Sequence, residues 1–165
     1  MKSWVAGAII LLSLPPNASA LRGILPGAAC DAIPEAEAKL GSGFLGSWPT
    51  ETAGDAQLCF EGHSHGGTAL ISYHCVSGRV ESQLITLKVD SEREGYVAFS
   101  DWHRDLVSEL GPPLEDIDEP SASALSDATG IPTRRHAVWV RKERRIIVTF
   151  QSAGERAWEV IVSGP

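Results

Sequence analysis

The chain has 165 residues, 43% of them hydrophobic and 21% charged. That is the composition of one ordinary globular domain, and it excludes collagen-like, coiled-coil and disordered chains. Acidic residues number 21 against 14 basic ones, a formal charge of −7, which is the wrong sign for a nucleic-acid-binding surface.

The N-terminus reads as an export signal. Lys2 precedes an apolar run from Val5 to Leu14, Pro15, Pro16 and Asn17 break that run, and Ala18-Ser19-Ala20 forms a small-x-small cleavage pattern. The apolar run is about ten residues, too short for a roughly 30 Å hydrocarbon layer. Residues 1–20 are therefore expected to be a signal peptide and 21–165 a single α+β domain, periplasmic or secreted, with no transmembrane segment. Asn is absent after Asn17 and Arg outnumbers Lys ten to four, a GC-rich codon signature that points to a bacterium.

Asp31 to Leu40 predicts a first helix, with Asp31 as cap and Pro34 and Glu35 in the first turn. The segment from Ser42 to Ala56 reads as a long connection. Gln57 to Phe60 predicts a short strand, followed by the turn-like Glu61-Gly62-His63-Ser64-His65-Gly66-Gly67. Thr68 to Val76 and Arg79 to Asp90 predict two strands joined at Ser77-Gly78. Phe99, Trp102, Leu106, Val107 and Leu110 recur at helical spacing, so Phe99 to Leu110 predicts a second helix with Ser100 as cap. Pro112 to Thr133 reads as a second long connection and a mobile surface loop. Arg134 to Arg141, Arg144 to Gln151 and Arg156 to Ser163 predict a closing three-strand meander.

Each half thus reads as a helix ending in Leu-Gly (Leu40-Gly41 and Leu110-Gly111) followed by three strands. The expected architecture is α+β: an antiparallel sheet with helices on one face, in two αβββ units at about 30–90 and 99–163. This arrangement resembles small exported bacterial proteins with tandem αβββ units, of the β-lactamase-inhibitory-protein type and the small accessory lipoproteins of outer-membrane assembly. The resemblance rests on topology and the repeated Leu-Gly ends. It implies protein binding by the open face of the sheet and maps no individual residue. The chain departs from that pattern in its odd cysteine count and in Gly27, which stands where a lipoprotein site before Cys30 carries leucine.

Cys30, Cys59 and Cys75 allow three single-disulfide connectivities. Pairing around the turn near residue 65 puts Cys59 opposite residues near 71, roughly 13 Å along the strand from Cys75. A helix start docking on the sheet edge reaches Cys75 more easily, so Cys30–Cys75 is the expected bond. His74 beside Cys75 does not make a nucleophile pair, because adjacent strand residues point to opposite faces.

The chemistry-bearing residues are few. His63 and His65, two apart in a Gly-rich turn, are candidate copper or zinc ligands. His74 would lie at the far end of that hairpin. There is no Gly-x-Ser-x-Gly, His-Glu-x-x-His, Walker or dinucleotide motif. Glu115, Asp116, Asp118 and Glu119 fall in the second long connection and read as solvated charge. Residues 88–119 carry ten acids and three bases, whereas 134–145 carry six bases and one acid. Arg141, Lys142, Arg144 and Arg145 make a positive hairpin tip. Trp102, Trp139 and Trp158 read as core, and Trp48, beside Pro49 in the first connection, reads as an exposed contact residue.

The sequence therefore predicts an exported, non-enzymatic binding protein: an inhibitor, immunity protein or envelope accessory factor. Its contact candidates are Trp48, His63, His65 and the tip at Arg141, Lys142, Arg144 and Arg145. The expected partner is another periplasmic or envelope protein, cationic if the acidic segment steers it. No nucleic acid and no cofactor are expected. Weak copper or zinc binding through His63 and His65 is the second reading, and an unrecognised cell-envelope hydrolase the third.

Overall fold

The computed structural model describes residues 22–24, 26–52, 54–118, 133–141, 144–154 and 157–164. The expected signal peptide, and most of the expected second loop, lie outside these residues.

A 3₁₀ turn (Cys30–Ala32) leads into α1 (Ile33–Lys39). Asp31 falls inside that turn and does not cap: the N-cap of α1 is Ala32, without a side-chain bond. Four strands follow, β1 (Gly43–Pro49), β2 (Ala56–Ser64), β3 (Gly67–Val76) and β4 (Arg79–Val89). Then come α2 (Glu92–Leu110), β5 (Glu115–Asp118), β6 (Thr133–Arg141), β7 (Arg144–Gly154) and β8 (Ala157–Gly164). Both expected connections thus contain a strand, and four strands, not three, follow each helix. All eight pair antiparallel in one sheet of order β1-β2-β3-β4-β8-β7-β6-β5.

Local chemistry sets the register. The β2–β3 and β3–β4 hairpins turn on His65-Gly66 and Ser77-Gly78, all four at positive φ. Two successive left-handed residues make the two-residue turn whose twist matches that of the flanking strands. The first turn fixes Cys59 opposite Ser72 and Gln57 opposite His74. The Ser77-Gly78 turn also anchors the N-terminal segment, through Cys30 N–H to Gly78 O at 2.9 Å and Gly27 N–H to Val80 O at 2.7 Å. Cys30 is joined to Cys75 by a disulfide.

Helix α2 begins seven residues before the expected start. Ser91 Oγ accepts from Glu94 N–H at 3.2 Å, and the Glu94 carboxylate accepts from Asp90 N–H at 3.2 Å. The first bond satisfies a first-turn donor that the helix leaves without a partner, and the second ties the residue before the cap back to the helix. The buried face is Gly95, Ala98, Phe99, Trp102 and Leu106. Gly95 stands at the end of the first turn of the helix, and Phe150 of β7 lies directly against it, where a Cβ would overlap the ring.

Strand register places both helices on the same side. Tyr73, Ile85, Leu87, Val160 and Phe150 share one face by pairing. Phe150 meets α2, and Tyr73 meets Glu37 of α1. One core cluster, from Ile33 to Val160, fills the space between this face and the helices.

Candidate functional site

The two edges of the sheet differ in chemistry. At one edge, β5 reads Glu115-Asp116-Ile117-Asp118. These acids belong to a strand rather than a loop, because β6 supplies a ladder from Val138 to Arg135. Charge on an edge strand discourages further strand pairing. At the opposite edge, β1 reads Gly43-Phe44-Leu45-Gly46-Ser47-Trp48-Pro49 and carries no charge.

The three large side chains of β1 are about half exposed: Phe44 54%, Leu45 51% and Trp48 49%. Phe44 leans on Phe60 of β2, with ring centroids 5.2 Å apart. Leu45 is the extra residue of a bulge, since Phe44 opposes Phe60 while Gly46 already opposes Cys59. Gly46 lets the Trp48 indole lie against the backbone, where a Cβ would come 3.0 Å from the ring. Trp48 is thus a strand residue, not the loop residue expected, and its ring is held in place. Elsewhere, Leu40, Val97 and Leu114 are also exposed, and Leu70, Leu84 and Val140 stand among polar neighbours on the face away from the helices. Scattered apolar residues are ordinary; on β1 the register sets Phe44 on the helix-bearing face and Trp48 on the opposite face, so both sides of this uncharged edge expose an aromatic.

The expected contact residues do not form one site. Arg141 and Arg144 oppose each other at the β6–β7 turn, Arg145 is exposed opposite Val140, and Lys142 lies outside the described residues. That turn is five strands from β1 in the sheet order, about 24 Å at the usual strand spacing. The basic tip and Trp48 therefore do not belong to one contact patch.

The histidines are divided among separate partners. His63 is exposed on β2, and its carbonyl accepts from Arg22 Nη1 at 3.2 Å. His65 contacts Ser64 Oγ through Nδ1 at 2.9 Å and Asp105 Oδ2 through Nε2 at 3.1 Å. Both nitrogens of His65 are thus engaged within the protein. His74 pairs with Glu81, and His103 with Asp116, each at 2.9 Å. Among the described residues, no group of three or more His, Cys, Asp or Glu side chains could hold a metal ion. His136 on β6 is pushed below the ordinary imidazole range by burial, and Arg145 adds to that against the opposing pull of Glu115.

Sequence reasoning missed a buried polar cluster beneath α1. Glu37 is fully buried. Arg22 Nη2 and Nε donate to its carboxylate at 2.8 and 2.9 Å. The Tyr73 hydroxyl also donates to Glu37, and Gln83 Nε2 donates to the Tyr73 oxygen at 2.7 Å. Burial alone would raise the Glu37 carboxyl. The bonds from Arg22, Ser42 and Tyr73 and the Arg22 charge outweigh that and hold it below the usual range. Burial, then Glu37, pushes the Tyr73 phenol well above its ordinary value. The one available signal was an acid at a helical spacing of four from Ile33, on the face that has to be buried.

No family model, curated protein or solved structure matches this chain. Among the described residues no helix is long and apolar enough to cross a membrane.

Proposed function

We propose that this is an exported binding protein, an inhibitor, immunity protein or envelope accessory factor, that takes an extended segment of a partner protein onto β1. The observation that carries this reading is the contrast between the edges: β5 is guarded by acids, while β1 is uncharged and exposes Phe44, Leu45 and Trp48. An added strand would gain main-chain bonds along the unpaired side of β1, and its side chains would meet Phe44 on one face of the sheet and Trp48 on the other. The formal charge of −7 favours a partner with basic residues flanking that segment. An intramolecular disulfide supports an oxidising compartment, periplasmic or extracellular. We also read residues of about 30–90 and 99–163 as two related units, each now with a fourth strand, because the sheet order is symmetric about the β4–β8 pair.

The test pairs capture with exchange. The domain lacking residues 1–20 is immobilised, and proteins from a periplasmic extract are captured at low salt and identified by mass spectrometry. Leu45→Lys puts a charge on the docking edge, and Arg145→Ala serves as a distant control. Expected is a protein lost with Leu45→Lys and kept with Arg145→Ala, whose binding slows amide exchange in residues 43–49. A captured protein indifferent to Leu45→Lys, or protection confined to other strands, overturns the reading.

A further inference from the structure

On the face of the sheet away from the helices, the register lines up four side chains in one row. Trp48 of β1 opposes Gln57 of β2, Gln57 opposes His74 of β3, and His74 opposes Ser82 of β4. Directly opposed residues of an antiparallel pair share a face. At the usual strand spacing the row runs about 14 Å across the strands. It reads aromatic, amide, imidazole, hydroxyl. We propose that this row binds an uncharged glycan chain laid across β1 to β4, a role separate from the partner segment proposed for the edge of β1.

Each position suits a sugar. A pyranose ring has apolar C–H faces that stack on an indole, and hydroxyls at its rim that need donors and acceptors. Trp48 is about half exposed, and its ring is held against Gly46, where a Cβ would come 3.0 Å from it. A ring already fixed loses little freedom on binding. Gln57 is exposed beside it, and its amide offers two donors and an acceptor. His74 Nδ1 lies 2.9 Å from Glu81 Oε2. A carboxylate only accepts, so Nδ1 carries the proton and the neutral ring presents Nε2 as an acceptor. Ser82 ends the row with a hydroxyl that both donates and accepts. The strand spacing is close to the repeat of linked pyranose rings, so successive rings would meet successive side chains.

The surroundings decide the class of ligand. The next row on this face is Gly46, Cys59, Ser72 and Leu84, which carries no charge. Cys59 Sγ and Ser72 Oγ lie 3.3 Å apart and engage each other. Glu81, beside the first row, is already paired with His74. An ionic ligand would therefore find no free counter-charge within either row, whereas a neutral polyhydroxyl chain needs none. A peptide is disfavoured for a different reason. Peptides add to a sheet through main-chain bonds at an edge, and the backbones of β2 and β3 beneath this row already pair on both sides. Only side chains remain to recognise a ligand here, and these four offer one stacking surface and several neutral hydrogen-bonding groups.

The test uses the domain lacking residues 1–20 with no partner protein present, so its outcome is independent of docking at the β1 edge. Cellotetraose and chitotetraose, both neutral, are titrated into it by calorimetry. Saturable one-to-one binding of at least one of them is expected. Trp48→Ala should weaken that binding by about 30-fold, the loss typical of a central aromatic contact. Gln57→Ala, an exposed substitution that leaves the core untouched, should weaken it by about fivefold. Arg145→Ala, on the same face but out at β7, should bind as the wild type does. Circular dichroism checks that each variant is folded. The proposal is overturned if neither sugar binds, if folded Trp48→Ala or folded Gln57→Ala binds unchanged, or if heparin binds in place of the neutral sugars.

Discussion

Arg22 and Glu37 show how much one side chain can depend on another. Glu37 is fully buried and Arg22 nearly so, at 9% side-chain exposure. A lone carboxylate in that position would be expelled or protonated. The pair itself need add little net stability, but breaking it by removing one partner typically costs about 3–5 kcal/mol. Arg22→Ala should therefore destabilise the protein by that order at pH 7, measured by urea unfolding. The pH dependence checks the cause. The folded-state carboxyl of Glu37 stands below its unfolded value of 4.5. Its contribution is present above that value and is lost as pH falls through the folded pKa. A protonated Glu37 needs no cation, so the difference between Arg22→Ala and the wild type should shrink on going from pH 7 to pH 3. A difference independent of pH would mean that Arg22 acts by packing alone.

At the scale of the element, helix α2 sets intrinsic preference against packing. Gly is about 1 kcal/mol worse than Ala in a helix interior, so propensity alone makes Gly95→Ala stabilising. Phe150, itself packed on Tyr96 at 4.9 Å, fills the space an added methyl would need. Overpacking of a dense core costs about 1–3 kcal/mol, so Gly95→Ala should lower the thermal midpoint instead of raising it. The same glycine explains why the helix start was illegible in the sequence. Asp90 to Gly95 is polar and ends in a residue that usually breaks helices, and only the tertiary contact with Phe150 reverses that reading. The edge strands were hidden for a related reason. Neither Phe44 to Trp48 nor Glu115 to Asp118 gives a readable alternation, because the bulge at Leu45 breaks the period of the first and the second is only four residues long. The two hairpins were legible, since Ser77-Gly78 and the Gly-rich turn after His65 state their own geometry. The Ser64–His65–Asp105 chain was not: it joins residues 40 positions apart through a helix-to-turn contact that no local pattern announces.

In the whole molecule, the disulfide couples the compartment to the proposed docking edge. Cys30 and Cys75 are 45 residues apart. Closing a loop of that length removes unfolded-state entropy worth about 4 kcal/mol in the chain-entropy view. The bond fastens the turn that begins α1 onto the end of β3, beside the Ala29–Arg79 bridge. In turn, α1 packs against β1, and the Glu37 carbonyl accepts from Leu40 and Ser42 N–H, both at 3.0 Å, where the chain enters that strand. The covalent tie therefore supports the strand that presents Phe44, Leu45 and Trp48, while β5 to β8 gain nothing from it directly. Reducing the protein, or substituting Cys30→Ser with Cys75→Ser, should lower stability by about 4 kcal/mol. Amide exchange should quicken first in residues 22–49, with β6 to β8 still protected. Partner capture should weaken in the same sample. Uniform loss of protection across both halves would show that the sheet unfolds as one unit and that the bond stabilises the whole rather than the β1 edge.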